Sequence, residues 1–158
     1  MAANPTSYVI DDLFTTYSSP GVHTPGQCVE IDGEEYRFVR NGVTDAGTAG
    51  YPAVLLDTST TAPWVMAYDV SDGLNDGAFV GVCLTAVLTS EYHWVKIRGW
   101  YHTCTIDDAI AAVGNEVCVG ADGGFRAATT AELVRPAGFC IDINTEAATG
   151  ASVWVEGI

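Results

Sequence analysis

The residues of this chain that could do chemistry are poorly spaced for it. His93, His102 and Cys104 stand close in sequence, and Cys118 follows. Imidazole and thiolate donors converging on one point would hold zinc. No two of them have the CxxC or HxxxH spacing that sets a ligand pair, so they read as strand residues, some of them buried. Asp69, Asp72, Asn75 and Asp76 make an oxygen-rich turn before Gly77. They lack the alternating ligands and terminal glutamate of a helix–loop–helix calcium site, and read as a solvated acidic turn. Carboxylates come in adjacent pairs, Asp11-Asp12, Glu34-Glu35 and Asp107-Asp108. Two facing carboxylates can cleave a glycoside, but neighbours on a strand point to opposite faces. No G-x-S-x-G elbow occurs, and none of His23, His93 and His102 sits in a recognisable base context. Gly120–Gly124 has no lysine and carries an acid, unlike a phosphate-cradling loop. No metal, no cofactor and no catalytic residue is expected.

The elements that must position these residues are strands. Gly81 to Leu88 is an apolar run, Thr89-Ser90-Glu91 is a polar corner, and Tyr92 to Gly99 alternates. Tyr92, Trp94, Lys96 and Arg98 share one face of that second arm; His93, Val95 and Ile97 share the other. Period-two alternation in β-branched and aromatic residues predicts a strand, and the pair predicts a hairpin. A second hairpin is predicted where Asp32-Gly33 separates Gln27–Ile31 from Glu34–Arg40, because a tight turn needs positive φ where glycine meets no steric resistance. Further strands are predicted at 51–56, 64–70, 100–104, 116–120, 125–128, 138–143 and 152–155. Thr105 to Val113 reads either as a short capped helix or as loop and strand. Thr129 to Glu132 has capping-box spacing. Gly138-Phe139-Cys140-Ile141 and Trp154-Val155 echo Gly81-Val82-Cys83-Leu84 and Trp94-Val95, which suggests two similar hairpins packed together.

Composition agrees. The 158 residues include 17 glycines but only six Lys plus Arg against 20 Asp plus Glu, for a net charge of −14. Helix surfaces need more Lys, Gln and Arg than this. The charge repels phosphate backbones and anionic bilayers, so neither nucleic acid nor membrane is an expected partner. The first residues, Met1-Ala2-Ala3-Asn4-Pro5, do not read as a signal peptide. The five cysteines, Cys28, Cys83, Cys104, Cys118 and Cys140, are odd in number and read as reduced, mostly buried small hydrophobes.

Residues 1–27 carry Pro5, Pro20 and Pro25, which argue against a helix. Two readings stand for them. One is an extended arm that docks on a partner through Val9, Ile10, Phe14 and Tyr17; the other is an irregular first strand covering its own domain. On the arm reading, deleting residues 1–20 leaves a folded domain that attaches poorly. Four tryptophans and seven tyrosines exceed what a small core needs, and interface cores favour Trp, Tyr and Arg. The face of Tyr92, Trp94, Lys96 and Arg98 is either an amphipathic strand or a contact with a neighbouring subunit or an acidic surface.

Three segments resemble the head decoration (cement) proteins of tailed bacteriophages. They are Asp32–Gly42, similar to a "DG-x-x-Y-x-[YF]-V" hairpin; Gly81–Leu84 with Glu91–Gly99, similar to "G-V-A-L … G-E-Y-G-W-V-Q-x-x-G"; and Val117–Ala127 with Pro136–Ile141. Cys83, Cys140 and His93 depart from the pattern, which favours small residues there, and residues 1–27 are not covered. The resemblance implies a virion protein on the outer capsid surface, often a homotrimer, that clamps neighbouring major capsid proteins.

The expectation is therefore one all-β domain over 28–158, a sandwich or small barrel of antiparallel strands, behind an N-terminal arm over 1–27. Its expected role is attachment to major capsid protein, with Val9, Ile10, Phe14, Tyr17, Tyr92, Trp94, Lys96 and Arg98 as contacts. The rival expectation is a receptor- or glycan-binding module of a tail or fibre.

Overall fold

The computed structural model describes residues 13–42, 46–55, 64–67, 78–106, 110, 113–120, 124–128, 137–142 and 151–157. Ten strands follow in order: β1 (Cys28–Ile31), β2 (Glu34–Asn41), β3 (Pro52–Leu55), β4 (Val65–Ala67), β5 (Phe79–Cys83), β6 (Tyr92–Cys104), β7 (Glu116–Val119), β8 (Phe125–Ala127), β9 (Gly138–Asp142) and β10 (Ala151–Glu156). No α-helix occurs among the described residues. The acidic turn at 69–76 and the capping-box segment at 129–132 lie outside them, as does most of 107–112. Thr105 and Ile106 are described, and they continue as extended chain: Ile106 forms a parallel bridge with Phe125.

The Asp32-Gly33 turn joins β1 to β2 with Ile31 opposite Glu34. Both turn residues have positive φ, 53° and 81°, the twist that matches right-handed strands in a two-residue hairpin. The β5–β6 hairpin also forms, with Cys83 opposite Val95, but its first arm ends earlier than the sequence suggests. Beyond Cys83 the chain leaves the ladder so that Val87 can exchange two backbone hydrogen bonds with Gly47, at 2.8 and 3.0 Å.

Pairing closes the sheet into two rings that share β6. In the first ring β2, β4, β3, β5 and β6 follow one another, and β6 returns to β2. All its pairs are antiparallel except β2–β4, where Arg40 and Asn41 lie parallel to Val65 and Met66. Val39, Ala53, Met66, Val80, Cys83, Val95 and Ile97 fill its interior. In the second ring β6, β10, β9, β7 and β8 follow, and the Phe125 N–H donates to Thr105 O at 2.8 Å to close it. Phe79, Val117, Phe125, Cys140, Val153 and Val155 belong to its core. At thirteen residues β6 is long enough to serve both rings. The echoing hairpins β5–β6 and β9–β10 are indeed neighbours, but Cys83 pairs with Val95 whereas Cys140 pairs with Val153. Their registers therefore differ by two residues.

Residues 13–27 cover their own domain. Tyr17 and Tyr92 exchange backbone hydrogen bonds, both 2.8 Å; Gly26 N–H donates to Phe38 O at 2.7 Å and Phe38 N–H to Gln27 O at 2.9 Å. Leu13 is buried with Tyr36, Phe38, Leu84 and Trp94. The His23 ring lies 5.0 Å from Phe38 and 5.2 Å from Trp94. The apolar far face of β2 and β6 needs a cover, and this segment supplies it. The boundary expected at residue 27 is thus replaced by a domain that already includes Leu13.

Candidate interaction face

The expected contact residues separate in the structure. Val9 and Ile10 lie outside the described residues. Phe14 is exposed, at 54%. Tyr17 and Tyr92 are half-buried partners of one another. Trp94 and Lys96 are buried, so they do not form an outward contact. The alternation along β6 holds, but the face it defines is turned inward over its first half, under residues 13–27. Arg98 alone of that face is exposed.

Burial of Lys96 is made tolerable by its partners. Its Nζ donates to Glu34 Oε2 at 2.7 Å and to Trp100 O at 2.7 Å. The Tyr36 hydroxyl donates to the same Glu34 oxygen at 2.6 Å. Burial alone would raise the Glu34 pKa, but the hydrogen bonds from Lys96 and Tyr36 and the Lys96 charge outweigh it and hold the carboxyl below its ordinary 4.5. Tyr36 is pushed up by burial and by the adjacent Glu34. This cluster ties β2 to β6.

Of the other chemically capable groups, Cys28 and His102 are exposed, whereas His93 and four cysteines are internal. His93 is fully buried, and burial pushes its pKa down to about 4, so the ring is neutral. Cys83, Cys104, Cys118 and Cys140 are buried; burial raises the Cys104 thiol well above its ordinary range. A buried thiol held in that form is a poor nucleophile and ligand. Among the described residues no three His, Cys, Asp or Glu side chains are grouped to hold a metal.

What the fold does present is an outward sheet face at the junction of the two rings. Beyond Gly99 the face of β6 bearing Arg98 emerges from cover. Trp100 of β6 lies opposite Trp154 of β10, Trp154 opposite Phe139 of β9, and Phe139 opposite Glu116 of β7. Residues directly opposite on paired strands project to the same side, so these four form one row. Trp100 and Phe139 are 40% and 39% exposed, and Glu116 is exposed. His102 stacks on Trp100 with ring centroids 4.9 Å apart.

A second row runs beside the first. Glu30 of β1 lies opposite Glu35 of β2, Glu35 opposite Arg98, and Arg98 opposite Glu156 of β10. Arg98 donates to Glu35 at 3.0 Å. Neither Glu156 nor Glu116 takes part in an ion pair among the described residues. Glu35, Ile97, Arg98, Glu156 and Gly157 line a hollow of about 290 Å³. Sequence reading missed Trp100, Trp154, Phe139, Glu116 and Glu156. The surplus of tryptophans was the available signal, but only pairing shows which of them share a row.

The chain matches no protein-family model, no curated protein and no solved structure.

Proposed function

We propose that this chain is a structural binding protein of a tailed-phage head, attached to the outer surface of the mature capsid, where it stabilises contacts between major capsid proteins. One observation carries the binding role: the row Trp100–Trp154–Phe139 stands outward on a hydrogen-bonded sheet. Rigid aromatic side chains give large contact area at little conformational cost, which suits an interface anchor. The resemblance of three segments to the decoration proteins supports the choice of partner. Under this reading the protein acts without turnover. It binds the assembled lattice and not the dissociated subunits, and so stabilises the shell by mass action. A homotrimer would multiply weak contacts through avidity. The net charge of −14 keeps a densely arrayed outer layer soluble.

The test is a mixing experiment with unexpanded and expanded shells of one phage, counting bound copies after sedimentation. Saturable binding to expanded shells, at many copies per shell, is expected. Binding to neither shell would sink the proposal. The exposed Trp100–His102 stack favours one rival, a glycan-binding module of a tail or fibre, which a glycan screen and a low copy number per virion would reveal.

A further inference from the structure

We infer that the face built by the two rows docks a cationic protein surface, one that presents Arg or Lys side chains. The inference rests on the binding role proposed above and names the chemistry of the partner. The aromatic row crosses β6, β10, β9 and β7, three strand spacings or roughly 14 Å. Aromatic faces attract guanidinium and ammonium groups, guanidinium most of all, since it also stacks. The charge around the row has the complementary sign. Glu116 ends it, and Glu156 stands beside Trp154 in the neighbouring row.

The local cost of this arrangement is informative. Glu30 and Glu35 are placed directly opposite each other, a like-charge pair that weakens a ladder. One arginine, Arg98, serves that row, and it is committed to Glu35. The carboxylate of Glu156 is left at the wall of the hollow that Ile97 and Gly157 help to line. A partner's Arg or Lys can lay its stem along Trp154 and Trp100 and bring its charge to Glu156, with a second cation at Glu116. A two-fold contact with a second copy of this chain fits poorly at this face, because it would set Glu116 and Glu156 against the same carboxylates of the other copy.

The test is calorimetric titration of the full chain with a capped hexa-arginine peptide, run beside the expanded-shell assay. Three variants are compared: Glu116→Gln with Glu156→Gln, Trp100→Leu, and Asp32→Asn with Glu91→Gln, two carboxylates outside both rows. The first and third remove the same charge. The carboxylate pair at the face is expected to weaken peptide binding tenfold or more, Trp100→Leu several-fold, and the Asp32/Glu91 control less than twofold. Equal losses in the two charge variants would overturn the inference, because they mean diffuse attraction. Loss in Trp100→Leu alone would overturn it in favour of a neutral ligand such as a glycan. Shells that bind the Glu116/Glu156 variant as well as the parent would overturn it while leaving the decoration role intact. Peptide binding at this face without shell binding would do the reverse.

Discussion

Lys96 and Glu34 meet at 2.7 Å across β2 and β6, with side-chain exposures of 9% and 32%. The asymmetry decides what each substitution does. Removing one member of a buried pair costs up to about 3–5 kcal/mol when a charge is left without a partner, and less where water reaches it. Glu34→Ala strands the more buried Lys96 and is expected to cost about 2–3 kcal/mol. Lys96→Met strands the better-hydrated Glu34 and should cost about 1 kcal/mol. Glu34→Gln combined with Lys96→Met should recover part of the loss. Urea unfolding of the three variants checks the order; the reverse order would show that the pair is not what holds this corner.

His93 makes stability depend on pH. Its pKa falls from 6.5 to about 4 on folding because burial disfavours the charged ring. Between those values the unfolded chain binds more protons, so stability rises with pH through that window. The contribution is fully present above about pH 6.5 and is lost progressively toward pH 4, by at most about 3 kcal/mol. Glu34, also lowered, adds a loss only as pH falls below its ordinary 4.5. His93→Gln should flatten the slope between pH 6.5 and 4.5, read from unfolding midpoints across that range. An unchanged slope would assign it to other groups.

Leu13 and Phe14 are neighbours with opposite fates, 3% and 54% exposed. Leu13→Ala should cost about 2–4 kcal/mol as a buried truncation. Phe14→Ser should change stability by less than about 0.5 kcal/mol and yet weaken attachment to expanded shells, if residue 14 retains its expected role. Thermal melts and the shell assay separate the two effects. Deleting residues 1–20 removes both, together with the Tyr17–Tyr92 bridge, so it should destabilise the domain and not merely detach it.

Gly33 and Gly138 both have positive φ, 81° and 147°, but their surroundings differ. A Cβ at Gly33 meets open space, whereas at Gly138 it would run into the Trp154 carbonyl. Gly33→Ala should cost about 1 kcal/mol, the conformational strain alone. Gly138→Ala adds a backbone clash and should cost about 3 kcal/mol or more. Because Gly138 pairs with Val155, the variant should also disturb the aromatic row beside it, measurable as weaker hexa-arginine binding. Similar unfolding midpoints for the two variants would contradict this account.

Local chemistry alone determined much of this protein. Alternation predicted β6, and the Asp32-Gly33 pair predicted the β1–β2 turn, because both depend only on neighbouring residues and on the φ that glycine permits. The scarcity of helix-forming surface residues predicted the all-β class. What the sequence could not carry was which side of each strand meets water. Trp94 and Trp100 lie on alternate positions of the same strand and look alike in sequence. Trp94 is buried because residues 13–27 fold over it, and Trp100 is exposed because that cover has ended. The parallel pairing of β2 with β4, the closure of both rings through β6, and the assembly of Trp100, Trp154, Phe139 and Glu116 into one row all depend on residues far apart in the chain. Register between distant strands is set by how the two cores pack, and that is a property of the tertiary structure.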